Sequence, residues 1–231
     1  MKSHDIYYPN YDKVIETKIN HSITTFRQNH PLLMKNPFRM CVIGVSGSGK
    51  SNLIFNMLLN LVDYDTLSII SNTQDGIYEI IQKLADKDSS VKFYIDINDI
   101  NIQSLDPSKT NLVIFDDLIT NNKKDQARIE ACFSLGRHYG VSCIYISQSY
   151  FRLTPMIRNN SNYYLIFKLG QHHELGAIHR RLASEISLKT FHKMYQTAVL
   201  EKKYGFIYID MNANSFNDKY KDKFDYTFTF N

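Results

Sequence analysis

A chain of 231 residues, 43% hydrophobic and 22% charged, has the composition of an ordinary globular protein and enough length for one large domain or two small ones. The formal charge of +4 permits contact with nucleic acid without demanding it, since no long Lys/Arg block occurs. Apolar runs break at Asn, Asp or Lys short of the ~18 residues a membrane span needs, and the leading MKSHDIYYPNYDK lacks a signal-peptide core, so a soluble intracellular protein with no membrane span is expected.

Ile15, Ile19, Ile23 and Phe26 recur at near-helical spacing and predict a helix packed on the main domain. His30-Pro31 and Asn36-Pro37 then break the chain. The stretch 40–61, MCVIGVSGSGKSNLIFNMLLNL, is an apolar strand, a glycine-rich turn and an apolar helix. Gly44, four intervening residues, Gly49, Lys50 and Ser51 have the spacing of a P-loop in its required strand-to-helix setting. The glycines Gly44, Gly47 and Gly49 let the backbone come close to a triphosphate, with N–H groups of the loop and the helix N-terminus facing its charge. The nucleotide cradle is therefore Gly44, Val45, Ser46, Gly47, Ser48, Gly49, Lys50, Ser51 and Asn52, for ATP with Mg²⁺. Lys50 would reach the β- and γ-phosphates, and the Ser51 hydroxyl would ligate Mg²⁺. Asn52, Asn56 and Asn60 form a narrow polar stripe on an otherwise apolar helix, which must be buried on most sides.

Thr66–Ser71 reads as a second strand, Ile77–Ala85 as a helix and 91–96 as a third strand, an alternation that indicates a parallel sheet. NLVIFDD (111–117) is a continuous apolar run ending in two carboxylates, as expected for a strand buried on both faces whose end reaches a ligand crevice. Asp116 is the candidate Mg²⁺ partner beside Ser51. Asp117 stands where a general base would polarise the attacking water.

Asn122, Lys123, Lys124 and Asp125 match the NKxD guanine-reading pattern, but the setting reads as a solvated turn whose lysines could touch a polyanion. Residues 126–138 read as a helix and Val141–Ser147 as a buried strand ending at Gln148, placed to sense the γ-phosphate or the lytic water. Arg137 precedes that strand at its opposite end, where it could serve a neighbouring subunit. As an isolated cation at a helix C-terminus it also fits a purely dipolar role. Arg152 and Arg158 flank Pro155, and Arg158 is a second candidate for the trans arginine. Further elements are a strand at 162–168, helices at 174–183 and 188–199, and a strand at 204–210. The polar stretch after Met211 reads as a loop leading to an edge strand or docking tail with Tyr226, Phe228 and Phe230. Cys41, Cys132 and Cys143 are isolated and odd in number, which suits buried reduced thiols. His172, His173, His179 and His192 lack partners at metal-ligand spacing.

PFRMCVIGVSGSGKS (37–51), NLVIFDD and SLGRHYGVSCIYISQSYFRLTPMIRNNSNYYLIFKL (134–169) together resemble the FtsK/HerA-type genome-packaging ATPases of large double-stranded DNA viruses and virophages. The resemblance implies an α/β P-loop NTPase of RecA-like (ASCE) type, with a mainly parallel sheet flanked by helices. It implies a ring homo-oligomer, a pentamer or hexamer, that pumps double-stranded DNA into a preformed capsid at its vertex. It also implies Lys50 and Ser51 on phosphate and Mg²⁺, Asp116 and Asp117 as the Walker B pair, Gln148 as γ-phosphate sensor and Arg137 as the trans-acting arginine. Asp117 departs from the Asp-Glu pair of the cellular translocases, although viral relatives resemble this Asp-Asp arrangement.

The expected organisation is an N-terminal extension (1–36), a P-loop domain (37–210) and a C-terminal tail (211–231), with no separate DNA-binding module. DNA contacts then fall to loops, with Lys123, Lys124 and Arg152 as candidates and a steep salt dependence. The expected locations are the host cytoplasm, the viral factory or the virion. Two other classes share the motifs: a nucleotide or nucleoside kinase, and a non-motor ATPase switch that recruits a capsid or membrane partner.

Overall fold

The computed structural model describes residues 34–72, 77–85, 90–118, 122–224 and 226–228; the helix expected around 15–26 lies outside them. The strands are β1 (Arg39–Ile43), β2 (Thr66–Ser71), β3 (Val91–Tyr94), β4 (Asn111–Asp116), β5 (Val141–Ser147), β6 (Tyr163–Ile166), β7 (Ile207–Asp210), β8 (Tyr220–Asp222) and β9 (Tyr226–Thr227). The helices are α1 (Lys50–Asn60), α2 (Ile77–Ala85), α3 (Lys123–Leu135), α4 (Pro155–Asn160), α5 (His172–Leu182), α6 (Leu188–Tyr195) and α7 (Phe216–Lys219). The strands form mixed sheet structure, in the order β3-β2-β4-β5 in one part and β1-β6-β7-β8-β9 in the other. This is the expected helix-flanked α/β architecture. Among the described residues no helix is long and apolar enough to cross a membrane.

The described residues divide into two compact units, one built from 40–50 and 146 onward, the other from 34–39 and 51–145. In the second unit β2 pairs in parallel with β3 and with β4, Leu67 opposite Val91 and Leu112. Every residue of β4 and β5 is buried, which is why both read as unbroken apolar runs instead of alternating ones. Phe115, Phe133 and Tyr145 pack with ring centroids 6.3–6.4 Å apart and anchor α3. Such an aromatic cluster is favourable beyond its buried area.

In the first unit β1 pairs in parallel with β6, Met40 opposite Tyr163 and Ile43 opposite Ile166. From there the sheet turns antiparallel through β7, β8 and β9. Phe206 packs against Phe167 at 5.1 Å and Phe224 at 5.2 Å, which fixes β7 and the residues after β8.

Several boundaries differ from the sequence expectation. The NNKKD stretch is not a turn: Lys123 starts α3, with the Asn122 side chain capping by accepting from Lys124 N. The expected helix 126–138 ends in a 3₁₀ turn, Gly136–Tyr139, closed by Gly140 at φ +65°. The helix expected to run to Val199 finishes as a π-turn, Gln196–Leu200. The last long strand starts at Ile207, not Tyr204. The stretch after Met211 is not all loop, since Ser215 caps α7 and β8 adds to the sheet, with Tyr220 buried.

Candidate nucleotide site

The P-loop follows directly from β1. Gly44 N donates to Ser147 O at 3.1 Å and Val45 N to Lys168 O at 2.9 Å, so the strand's last hydrogen bonds aim the loop. A Cβ at Gly44 would lie 2.5 Å from Phe167 Cβ, so only glycine fits. Gly49 takes φ +99°, with Tyr204 Cδ1 3.0 Å from where its Cβ would stand. Lys50, 9% exposed, folds its Nζ onto Gly44 O at 2.7 Å and Val45 O at 2.9 Å. The Ser48 hydroxyl is buried with no hydrogen-bond partner. A glycine-formed cradle with an ammonium folded onto it and an orphaned hydroxyl in it is chemically suited to an anion.

In the other unit β4 delivers Asp116, 8% exposed, to its C-terminal end. The Tyr78 hydroxyl on α2 donates to Asp116 Oδ2 and also hydrogen-bonds the Ser51 side chain. Burial, reinforced by the adjacent Asp116 charge, holds the Tyr78 phenol far above its ordinary range, so it stays protonated and a donor. The two expected Mg²⁺ ligands thus converge on one hydroxyl. A carboxylate and an alcohol oxygen are hard donors of the kind Mg²⁺ takes. Asp117 is half-buried with φ +44°, a left-handed conformation that turns the chain out of β4.

Gln148 lies half-buried immediately after β5. The segment that follows it is held by Glu174 of α5, which is 1% exposed. One Glu174 carboxylate oxygen accepts from Ser149 Oγ and from Tyr150 N at 3.0 Å, while its other oxygen is buried without a partner. Arg137 is exposed in the 3₁₀ turn before β5, at the end opposite Gln148. It stands close enough to Arg39 to depress that guanidinium's pKa, burial being the larger cause. Arg158 stacks over the Tyr150 ring at 5.0 Å, and Arg152 is exposed in the turn Tyr150–Arg152. Lys123 and Lys124 are exposed on the first turn of α3. Ser46 and Gly47 are exposed at the loop tip, and Asn52 is half-buried on α1.

Sequence reasoning missed Tyr78, Glu174 and Tyr204. Tyr78 and Glu174 fall within the expected helices 77–85 and 174–183, where nothing in the spacing marks them. The three cysteines are unbridged and buried, with burial pushing Cys41 and Cys132 up to about 12.

Residues 24–210 match the family model described as Poxvirus A32 protein. No curated protein sequence gives a significant match. Among solved structures the fold is similar to the genome packaging NTPase B204 from Sulfolobus turreted icosahedral virus 2 in complex with AMPPCP, with a TM-score of 0.55 and 16% identity over 79% of this chain and 96% of that one. The complex of the same protein with ATP-gammaS gives 0.53 and 18% over the same shares. B204, the DNA-packaging ATPase from Sulfolobus Turreted Icosahedral Virus, gives 0.56 and 20%, again over 79% and 96%. At such identities the likeness is one of fold. The family match spans most of the chain, and the protein therefore belongs to the Poxvirus A32 protein family.

Proposed function

We propose that this protein is an ATP-hydrolysing motor that moves double-stranded DNA into a preformed viral capsid, working as a ring. The observation that carries the reading is the convergence of Ser51, the residue that follows Lys50 in the chain, and Asp116 on the Tyr78 hydroxyl. The structural relatives, complexes of a genome packaging NTPase with AMPPCP and with ATP-gammaS, supply the packaging context.

In this reading the P-loop N–H groups hold the phosphates, and Lys50 leaves the Gly44 and Val45 carbonyls for the β- and γ-oxygens. Ser51 and Asp116 would hold Mg²⁺, which when bound neutralises charge on those oxygens. Asp117 accepts the proton of the attacking water, and Gln148 orients that water or reads the γ-phosphate. Arg137, exposed at the far end of β5, is presented to the neighbouring subunit's nucleotide, where a guanidinium stabilises the developing charge. Lys123, Lys124 and Arg152, all exposed, are the candidate contacts to DNA phosphates. A protein that acts this way works in the host cytoplasm or the viral factory.

The test is displacement of a triplex-forming strand from linear duplex DNA. ATP-dependent displacement by wild type, absent with Lys50→Ala, is the expected result. Hydrolysis without displacement would mark a non-motor switch, and phosphoryl transfer to a small nucleoside or nucleotide would mark a kinase.

A further inference from the structure

A cleft of about 350 Å³ opens beside the P-loop tip, between Gly47 and Ser48 on one side and the segment 199–205 on the other, with Lys168 at its edge. This is within the size range of small-molecule sites. Its wall is built tightly. The π-turn Gln196–Leu200 closes with Glu201 N donating to Gln196 O at 3.0 Å. A Cβ at Gly205 would stand 2.0 Å from Ala198 O, so this return of the chain requires glycine. Between them Tyr204 is held at φ +57°, a left-handed conformation that bulky side chains rarely adopt. Its side chain lies against Gly49 of the P-loop, yet the residue is 49% exposed.

An aromatic residue kept in an unfavourable backbone conformation, exposed, and touching a phosphate loop calls for a use. The geometry points to a nucleoside subsite: the base of the nucleotide whose phosphates occupy the P-loop packs on Tyr204, with its ribose over Gly47 and Ser48. This rests on the nucleotide-binding reading above and identifies which part of the ligand the cleft takes. Lys203 Nζ lies 5.0 Å from the Tyr204 ring centroid, an exposed cation–π contact that a base exchanges for stacking on the same face. Lys202 is tied to the buried Asp222 and so anchors the wall to β8. Lys168 remains exposed at the edge, placed to face the α-phosphate.

The experiment is calorimetric titration of ATP and, separately, of inorganic tripolyphosphate into wild type, Tyr204→Phe, Tyr204→Leu and Lys50→Ala. Loss of a stacked base weakens binding by about tenfold. ATP affinity is therefore expected to fall about tenfold in Tyr204→Leu, which keeps bulk against Gly49, and to survive in Tyr204→Phe. Tripolyphosphate binding is expected to stay unchanged in both. Unchanged ATP binding in Tyr204→Leu, or equal loss of both ligands there, would overturn the subsite. ATP binding absent from wild type, or retained in full by Lys50→Ala, would instead overturn the nucleotide reading itself.

Discussion

The Tyr78 hydroxyl donates to Asp116 Oδ2 and also meets the Ser51 side chain, so one buried phenol stands where the two candidate Mg²⁺ ligands converge. Removing it in Tyr78→Phe takes a donor from a buried carboxylate, a loss of about 1–3 kcal/mol. For a protein of this size each kcal/mol lowers Tm by about 2–4 °C. The nucleotide-free variant should melt lower than wild type, and Mg²⁺ with a non-hydrolysable ATP analogue should raise its Tm by more than it raises wild type's. Equal melting without nucleotide, measured by calorimetry, would contradict the role assigned to this hydroxyl.

Glu174 is buried and accepts from both Ser149 Oγ and Tyr150 N, fixing the residues that follow Gln148. Glu174→Ala should destabilise the fold by about 1–3 kcal/mol, because the Tyr150 N–H loses its acceptor. With the Gln148 segment released, kcat should fall while ATP affinity holds. A variant with normal kcat and lowered Tm would reduce Glu174 to a structural part.

Arg137 lies exposed before β5, with the seven residues of the strand between it and Gln148, a rise of about 20 Å. Arg137→Ala should bind ATP normally yet lose ~10³-fold or more in hydrolysis. Mixing it with Lys50→Ala should restore activity, since one variant brings an intact phosphate site and the other an intact arginine. A mixture no more active than its parts would exclude catalysis in trans.

Alkaline pH should weaken the fold. Burial raises the thiol pKa of Cys41, Cys132 and Cys143 and the phenol pKa of Tyr164, Tyr208 and Tyr220. The folded state therefore keeps protons that the unfolded chain releases, from about pH 8.5 for thiols and about pH 10 for phenols. Stability is present in full below those values and is lost as pH rises through and beyond them. Tm should be level near pH 7 to 8 and decline from about pH 9. A Tm that rises from pH 8 to 10 would contradict this sign.

The glycine-rich turn between β1 and α1, and β4 itself, were legible because each is written in local pattern: glycine spacing after an apolar run, and carboxylates ending a strand buried on both faces. Tyr78, Glu174 and Tyr204 were not, because their roles arise from contacts across the chain. The Tyr78 hydroxyl reaches Asp116, 38 residues away, and Glu174 reaches back 24 residues to Tyr150. Tyr204 read as the start of a strand, because aromatic and β-branched residues follow it; its left-handed φ of +57° stands next to the close approach of Gly205 to Ala198, a contact across the chain that local pattern does not carry. The NNKKD stretch misled through its polarity, since an Asn cap and a charged first turn look like a loop until the helix behind them is packed.

The most direct test is steady-state ATP hydrolysis with and without long linear duplex DNA, with oligomer size recorded in the same samples. A DNA-stimulated motor predicts turnover that rises with duplex DNA in a ring-sized species and vanishes in Lys50→Ala. Turnover indifferent to DNA, or dependent on a small nucleotide acceptor, would contradict it.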